Sequence, residues 1–357
     1  MYHYVNDSAG AITVSPACFE EHCRAMAEQG WRGISLAEAE DFFIHGGSLP
    51  KKSLLISFDD GYLDNCQHAL PILGAYGHKA VVFAVSGRLE AGESPRVPMA
   101  DLFEGRAHAL PQVNLPVRKN ELGFTIRTDV FCNHAEIRAM EESGIMAVAS
   151  HSRGHFGVFA GPEFRSFAAP GDQARTFYLT EHGHFWGQPG FKVVPGLQRR
   201  AFLPNPDLLE AIRRLVPQSD EGALDFFAVE ENVRELRALA AGFAGNMGRY
   251  ETDAERRERM WREIAGGKAE LASLLGHEVK SFCWPWGKYC PEAHALALDA
   301  GFSLLFTTDA GANPPSQPLA LRRFKARARS GAWLVSRLGF YSSPLLGNLY
   351  AALRDLF

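Results

Sequence analysis

The sequence predicts an α/β fold, either a barrel or an open parallel sheet flanked by helices. Residues 79–85 form a near-continuous apolar run, of the kind buried on both faces of a parallel sheet. They follow an earlier apolar run, 53–58, and an intervening helical stretch, 65–76, giving strand–helix–strand order. The segments Asp59-Asp60-Gly61 and His151-Ser152-Arg153-Gly154-His155 each follow a predicted strand, at the end where βα folds place their active sites.

In chain order, residues 14–30 read as a helix capped by Ser15 with Pro16 at its first position, its apolar stripe being Phe19, Cys23, Met26 and Ala27. A short segment, 33–36, precedes a second helix over 37–43. The strand 53–58, the helix 65–76 and the strand 79–85 then follow. Regularity fails over 87–130 and returns as a helix, 133–144, and a strand, 145–149. A second irregular stretch, 157–222, is rich in Pro, Gly and aromatics, and is expected to be a lid or substrate wall. Helices occupy 223–275. A strand over 279–287 ends in the aromatic turn Trp284-Pro285-Trp286-Gly287, and a helix, 292–300, and a strand, 302–307, complete the alternation. The expected organisation is one domain over 1–325, with insertions at about 87–130 and 157–222, and an amphipathic segment over 326–357.

Composition narrows the functional class. With 46% hydrophobic and 22% charged residues among 357, a sizeable core is available. A net charge of −4 gives no general reason to expect nucleic-acid binding, although 321–329 is locally basic. The six cysteines form no Cys-x-x-Cys pair, which suggests reduced thiols. The first residues resemble no export signal, so a cytoplasmic location is expected.

The two polar motifs belong together chemically. Successive strand residues face opposite sides, so Asp59 and Asp60 point to different partners. A His-x-x-x-His pair can grip one ion, and one carboxylate with two imidazoles leaves coordination positions open for hydrolytic chemistry. The other aspartate is then available to accept a proton. Alone, Asp-Asp-Gly is as readily a turn cap, and two histidines are as readily ordinary core or surface residues.

Ser57-Phe58-Asp59-Asp60-Gly61-Tyr62 resembles the Ser/Thr-Phe-Asp-Asp-Gly motif of the polysaccharide deacetylases, carbohydrate esterase family 4, whose shared unit is the NodB homology domain. His151-Ser152-Arg153-Gly154-His155 is similar to that family's His-Ser/Thr-x-x-His motif, and 282–287 to its aromatic-Pro-aromatic-Gly turn. The resemblance covers roughly 1–160 and 255–325. It implies a distorted (β/α)7-type barrel with long inserted loops over the active-site face. It also implies a divalent metal, zinc ahead of cobalt, nickel or manganese, on Asp60, His151 and His155. Asp59 would be the general base, with an oxyanion donor at the Tyr62 N–H.

Tyr2-His3-Tyr4-Val5 resembles the start of a circularly permuted branch of the family, which implies His3 as the general acid. The family's usual Arg before the third motif's Pro is replaced by Cys283, and Leu321-Arg322-Arg323-Phe324 resembles a late segment that supplies an arginine, so Arg323 or Arg322 is expected to orient Asp59. Trp284, Pro285, Trp286, His184 and Trp186 are expected to contact the sugar, core packing being the alternative for each aromatic.

The expected substrate is an N-acetylated amino sugar in a cell-envelope glycan precursor, lipid-linked or in a lipopolysaccharide core. The apolar, arginine-studded segment 321–357 suggests peripheral contact with the inner membrane, or else a pair of helices closing the barrel bottom. Two other activities fit less well: an amidase on a non-sugar C–N bond, and an inactive saccharide-binding module.

Overall fold

The computed structural model describes residues 1–8, 10–106, 130–170, 181 and 185–348. Five parallel strands stand in the order Leu304–Phe306, Ser281–Cys283, Met146–Ser150, Ala80–Ala84, Ile56–Asp60. The apolar run at 80–84 is buried along its whole length, as its composition predicts. Register aligns the strand ends: Asp60 lies opposite Ala84, Ala84 opposite Ser150, and Ser150 opposite Phe282. The Asp-Asp pair and the segment starting at His151 therefore leave the sheet at one level.

The sheet is curled, giving an α/β half-barrel. Single parallel bridges extend it at both edges, Tyr2 to Phe58 and Leu321 to Phe306. The added edges meet each other. The Met1 nitrogen donates to Phe324 O at 2.8 Å, and Ala326 N donates to Met1 O at 3.0 Å.

Helix Pro16–Glu28 starts where its cap predicts, Ser15 Oγ accepting from Cys18 N, and buries Phe19, Cys23 and Met26. The predicted helix 65–76 divides into a wide π-helical turn, Asn65–Ala69, and an α-helix, Leu70–Ala75. Pro71 lacks the N–H that a regular helix would need there. Helix His134–Glu142 carries a reciprocal capping box between Asn133 and Glu136. Helix Gly331–Tyr341 lies against Pro16–Glu28. Gly331 N donates to Glu21 Oε1, His22 Nε2 donates to Arg329 O, and Leu334 and Leu338 enter the main core. Among the described residues, no helix is long and apolar enough to cross a membrane.

One expectation is corrected. The described residues of 157–222 do not form an irregular lid. With the chain up to Tyr250 these described residues build a second unit, an antiparallel sheet ordered Gly248–Tyr250, Phe202–Pro204, Gly157–Phe167, Pro189–Pro195. Helices Pro206–Leu215, Asp220–Ala228 and Glu230–Gly242 accompany it, and Leu208, Ile212, Val216 and Leu236 form its own core. Arg259 fastens this unit to the main body, pairing with the buried Glu251 at 2.7 Å and donating to Gly196 O at 2.8 Å. Of the other expected insertion, residues 107–129 lie outside the described residues.

Candidate active site

Three predicted ligands converge. Asp60 Oδ1 lies 3.7 Å from His151 Nε2 and 3.8 Å from His155 Nε2, with all three donor atoms within 4.8 Å of one another. Tetrahedral zinc with bonds of about 2.0–2.1 Å sets its ligand atoms about 3.3 Å apart, so the donor set fits such an ion after a small contraction. His151 Nδ1 donates to Cys283 O at 2.8 Å, which leaves its Nε2 lone pair facing Asp60. Burial lowers the His151 imidazole to about 4 and the His155 imidazole to about 3, with Arg88 adding to the latter. Both rings are therefore neutral near pH 7, the form a metal ligand requires.

The backbone around these ligands is forced. Among the described residues, five non-glycine residues have positive φ, and four of them, Asp60 (79°), Ser152 (69°), His155 (54°) and Trp286 (54°), are at this site. Each costs on the order of 1–3 kcal/mol and persists only where surroundings over-determine it. Here they do. Ser152 Oγ accepts from His155 N at 2.9 Å, and Glu263 takes Arg153 N on its carbonyl and Gly154 N on its side chain, both at 2.9 Å. Glu263 sits in a wide π-helical turn, Arg262–Gly266. Next to it, Gly267 leaves no room for a side chain, since a Cβ there would stand 2.7 Å from Arg153 N.

Asp59 is buried and faces the other way. Arg323 grips it with two parallel bonds, Nη1 to Oδ1 at 2.6 Å and Nη2 to Oδ2 at 2.9 Å. Arg323 is itself held by Thr307 O at 2.9 Å, and its Nη2 donates to the Cys283 thiol at 2.8 Å. Burial pushes the Asp59 carboxyl up, but Arg323, with help from His151 and His3, overcomes it and holds the group well below the usual carboxylate range. Arg322, the other arginine considered, instead pairs with Asn313 and Asn348.

His3 is not a mobile terminal residue. Tyr2 N donates to Ser57 O, Asp59 N donates to Tyr2 O, and Asn65 Nδ2 donates to His3 O at 2.8 Å. Asp64 completes the anchor, accepting from Val5 N and Asn6 Nδ2; burial raises its carboxyl to about 7. His3 Nε2 stands 4.0 Å from Asp59 Oδ2, and burial holds the ring below its ordinary pKa. Its buried Nδ1 has no hydrogen-bond partner among the described residues.

These groups share a cavity of about 700 Å³, to which Tyr62, Arg88, Trp286, Lys325 and Arg327 also contribute. Trp286 packs on His155 with ring centroids 4.2 Å apart, while the Tyr62 ring stacks between Tyr4 and Phe131. Three expected sugar contacts are corrected. Trp284 is fully buried against Phe282 and Tyr289, and Pro285 is buried beside it, because their strand end turns into the core. Trp186 belongs to the second unit, donating to Asp220 and Gln218, and does not line the cavity. His184 lies outside the described residues. The sequence reading missed Glu263 and the Cys283–Arg323 contact; a charged residue inside a helix and a lone cysteine carry no local signal of either.

The family model for polysaccharide deacetylase matches residues 46–160, so the resemblance read from the motifs holds for the segment carrying both metal-ligand motifs. Among curated proteins, the Bacillus subtilis protein YxkH, named after the polysaccharide deacetylases, is 35% identical over 85 residues, 24% of this chain and 30% of that protein. The poly-β-1,6-N-acetyl-D-glucosamine N-deacetylase of Escherichia coli is 22% identical over 188 residues, 52% of this chain and 24% of the relative. The matches therefore span less than a third of each relative's length.

Solved structures share the fold. A de-N-acetylase from Aggregatibacter actinomycetemcomitans matches with TM-score 0.57 at 18% identity, over 94% of this chain and 97% of the other. IcaB from Ammonifex degensii matches with TM-score 0.54 at 20% identity, over 94% and 93%.

Proposed function

We propose that the chain is a metal-dependent hydrolase that removes N-acetyl groups from amino sugars. The observation that carries this reading is the meeting, in one cavity, of the Asp60–His151–His155 donor set with the Arg323-bound carboxylate of Asp59. The family match over 46–160 and the deacetylase named among its relatives support it.

A divalent ion on Asp60, His151 and His155 would polarise the amide carbonyl and make water a better nucleophile at neutral pH. Asp59, held ionised by Arg323, accepts the proton of the attacking water. His3, whose Nε2 is 4.0 Å from Asp59 Oδ2, is assigned the proton delivered to the leaving amine. The backbone N–H of Tyr62 is assigned to the developing oxyanion. Trp286 offers an aromatic face to the sugar.

The finer fold reading belongs to the same proposal. The two bridged edges, joined by the Met1–Phe324 and Ala326–Met1 hydrogen bonds, support a distorted ring of seven staves over 1–325. The proposed setting is the inner face of the cytoplasmic membrane, acting on envelope-glycan precursors. Exposed Leu345 and Leu346, beyond the packed C-terminal helix, are consistent with it.

The test is acetate release from β-1,6-linked N-acetylglucosamine oligomers by the zinc-loaded protein. Asp59→Asn should lower the rate by about 10²–10⁴-fold while bound metal stays equimolar. Undiminished acetate release by that variant would remove Asp59 as the base.

A further inference from the structure

The cavity that holds the proposed hydrolytic centre has more positive charge than that chemistry uses. Asp59 is matched by Arg323, and Asp60 faces the two histidines. Among the described residues no other acid lines the cavity, whereas three further cations do: Arg88, Lys325 and Arg327.

 Arg88 is steadied by Gly154 O at 3.0 Å and by the Phe131 ring. The side chains of Lys325 and Arg327 have no hydrogen-bond or ion-pair partner among the described residues.

Their placement follows from alternation along the last segment. Arg323 bonds Asp59, and Lys325 and Arg327 line the cavity at the next two alternate positions, while Phe324 and Ala326 line a neighbouring pocket that Arg323 also borders. The basic run 321–329 thus gives three of its cations to the catalytic side. Burial, and then the charge of Arg327, lower the Lys325 ammonium from its ordinary value, so the pair is placed at some cost. A single carboxylate would offset one of these charges. A phosphate ester offers more negative charge and several acceptor oxygens within one group.

Resting on the deacetylase reading, we infer that the substrate is an N-acetylated amino sugar carrying a phosphate or diphosphate ester, which binds Lys325 and Arg327 while the acetamide lies at the metal ligands. The reaction is unchanged by this group. The amide C–N bond breaks, the water oxygen ends in acetate, its protons pass to acetate and the amine, and the phosphate ester stays intact.

Four probes test the inference with the zinc-loaded full chain: UDP-N-acetylglucosamine, a short-chain polyprenyl-diphospho-N-acetylglucosamine, the neutral methyl glycoside of N-acetylglucosamine and a neutral β-1,6 oligomer. The diphosphate-linked probes should give kcat/KM about ten- to a hundredfold above the neutral ones. The two diphosphate arms compare a nucleotide source with a lipid source. In Lys325→Ala/Arg327→Ala that preference should collapse, the loss being mainly in KM, and Lys325→Arg/Arg327→Lys should restore most of it. Equal or better turnover of the neutral probes, with the alanine variant slowing all four alike, would overturn the anionic substrate and leave the deacetylase reading standing. Acetate from none of the four, with metal bound, would overturn both.

Discussion

The parallel sheet and the antiparallel unit at 157–250 are built from similar residue types but differ in what they do for the site. The parallel strands are short and buried on both faces, and their aligned ends set Asp60, His151 and the Cys283 carbonyl at one level. The antiparallel unit has a core of its own, from Leu208, Ile212 and Leu236, and meets the main body through contacts such as Glu251–Arg259. Charge is treated differently too. The main body buries Asp59 and Arg323 together beside the proposed chemistry, whereas ion pairs such as Arg214–Glu210 on the second unit are exposed and worth little. The lesson is that precision is concentrated where buried strands end.

The largest expected effect comes from breaking the buried pair in the main body. Arg323→Met leaves the Asp59 carboxylate buried without its partner, costing about 3–5 kcal/mol of stability at neutral pH. In the parent protein Asp59 titrates below its unfolded value, so its contribution is present above about pH 4 and fades as pH falls. Without Arg323 burial dominates and raises the group, which reverses the sign: the variant should lose more stability at pH 7 than at pH 4. Denaturant midpoints at both pH values check this, and an equal loss at each would contradict the pairing.

A smaller effect tests the independence of the second unit. Leu236→Ala, at a fully buried position of that core, should cost about 2–5 kcal/mol. Zinc affinity measured by competition with a chelator should move by less than about threefold, since the ligands rest on the other core; a large loss of affinity would show that the two units are energetically one.

The smallest effect concerns aromatics. Trp186→Ala removes a half-buried ring and its bond to Asp220, so it should cost about 1–2 kcal/mol of local stability and leave KM in place. Trp286→Ala, at the cavity wall, should raise KM instead. Kinetics on one acetylated substrate separate the two.

Much of the main body was legible in the chain. Apolar runs of strand length, a Ser-Pro helix start and two motifs at strand ends are local patterns, and their elements stand where those patterns put them. The strand Gly157–Phe167 was not legible. Its burial does not alternate cleanly, and the register shifts between Phe159, Phe164 and Phe167 break the period of two on which strand recognition depends.

What the sequence determined by itself is the inventory of reacting groups and the order of the elements that carry them, because periodicity and motif spacing are properties of neighbours along the chain. Tertiary structure alone decided that Arg323 rather than Arg322 meets Asp59, that Trp284 turns into the core while Trp286 faces the cavity, and that Lys325 and Arg327 stand on the catalytic side. Those outcomes depend on which face of a segment its distant neighbours leave open. That is a matter of packing between residues far apart in the chain, and no local pattern encodes it.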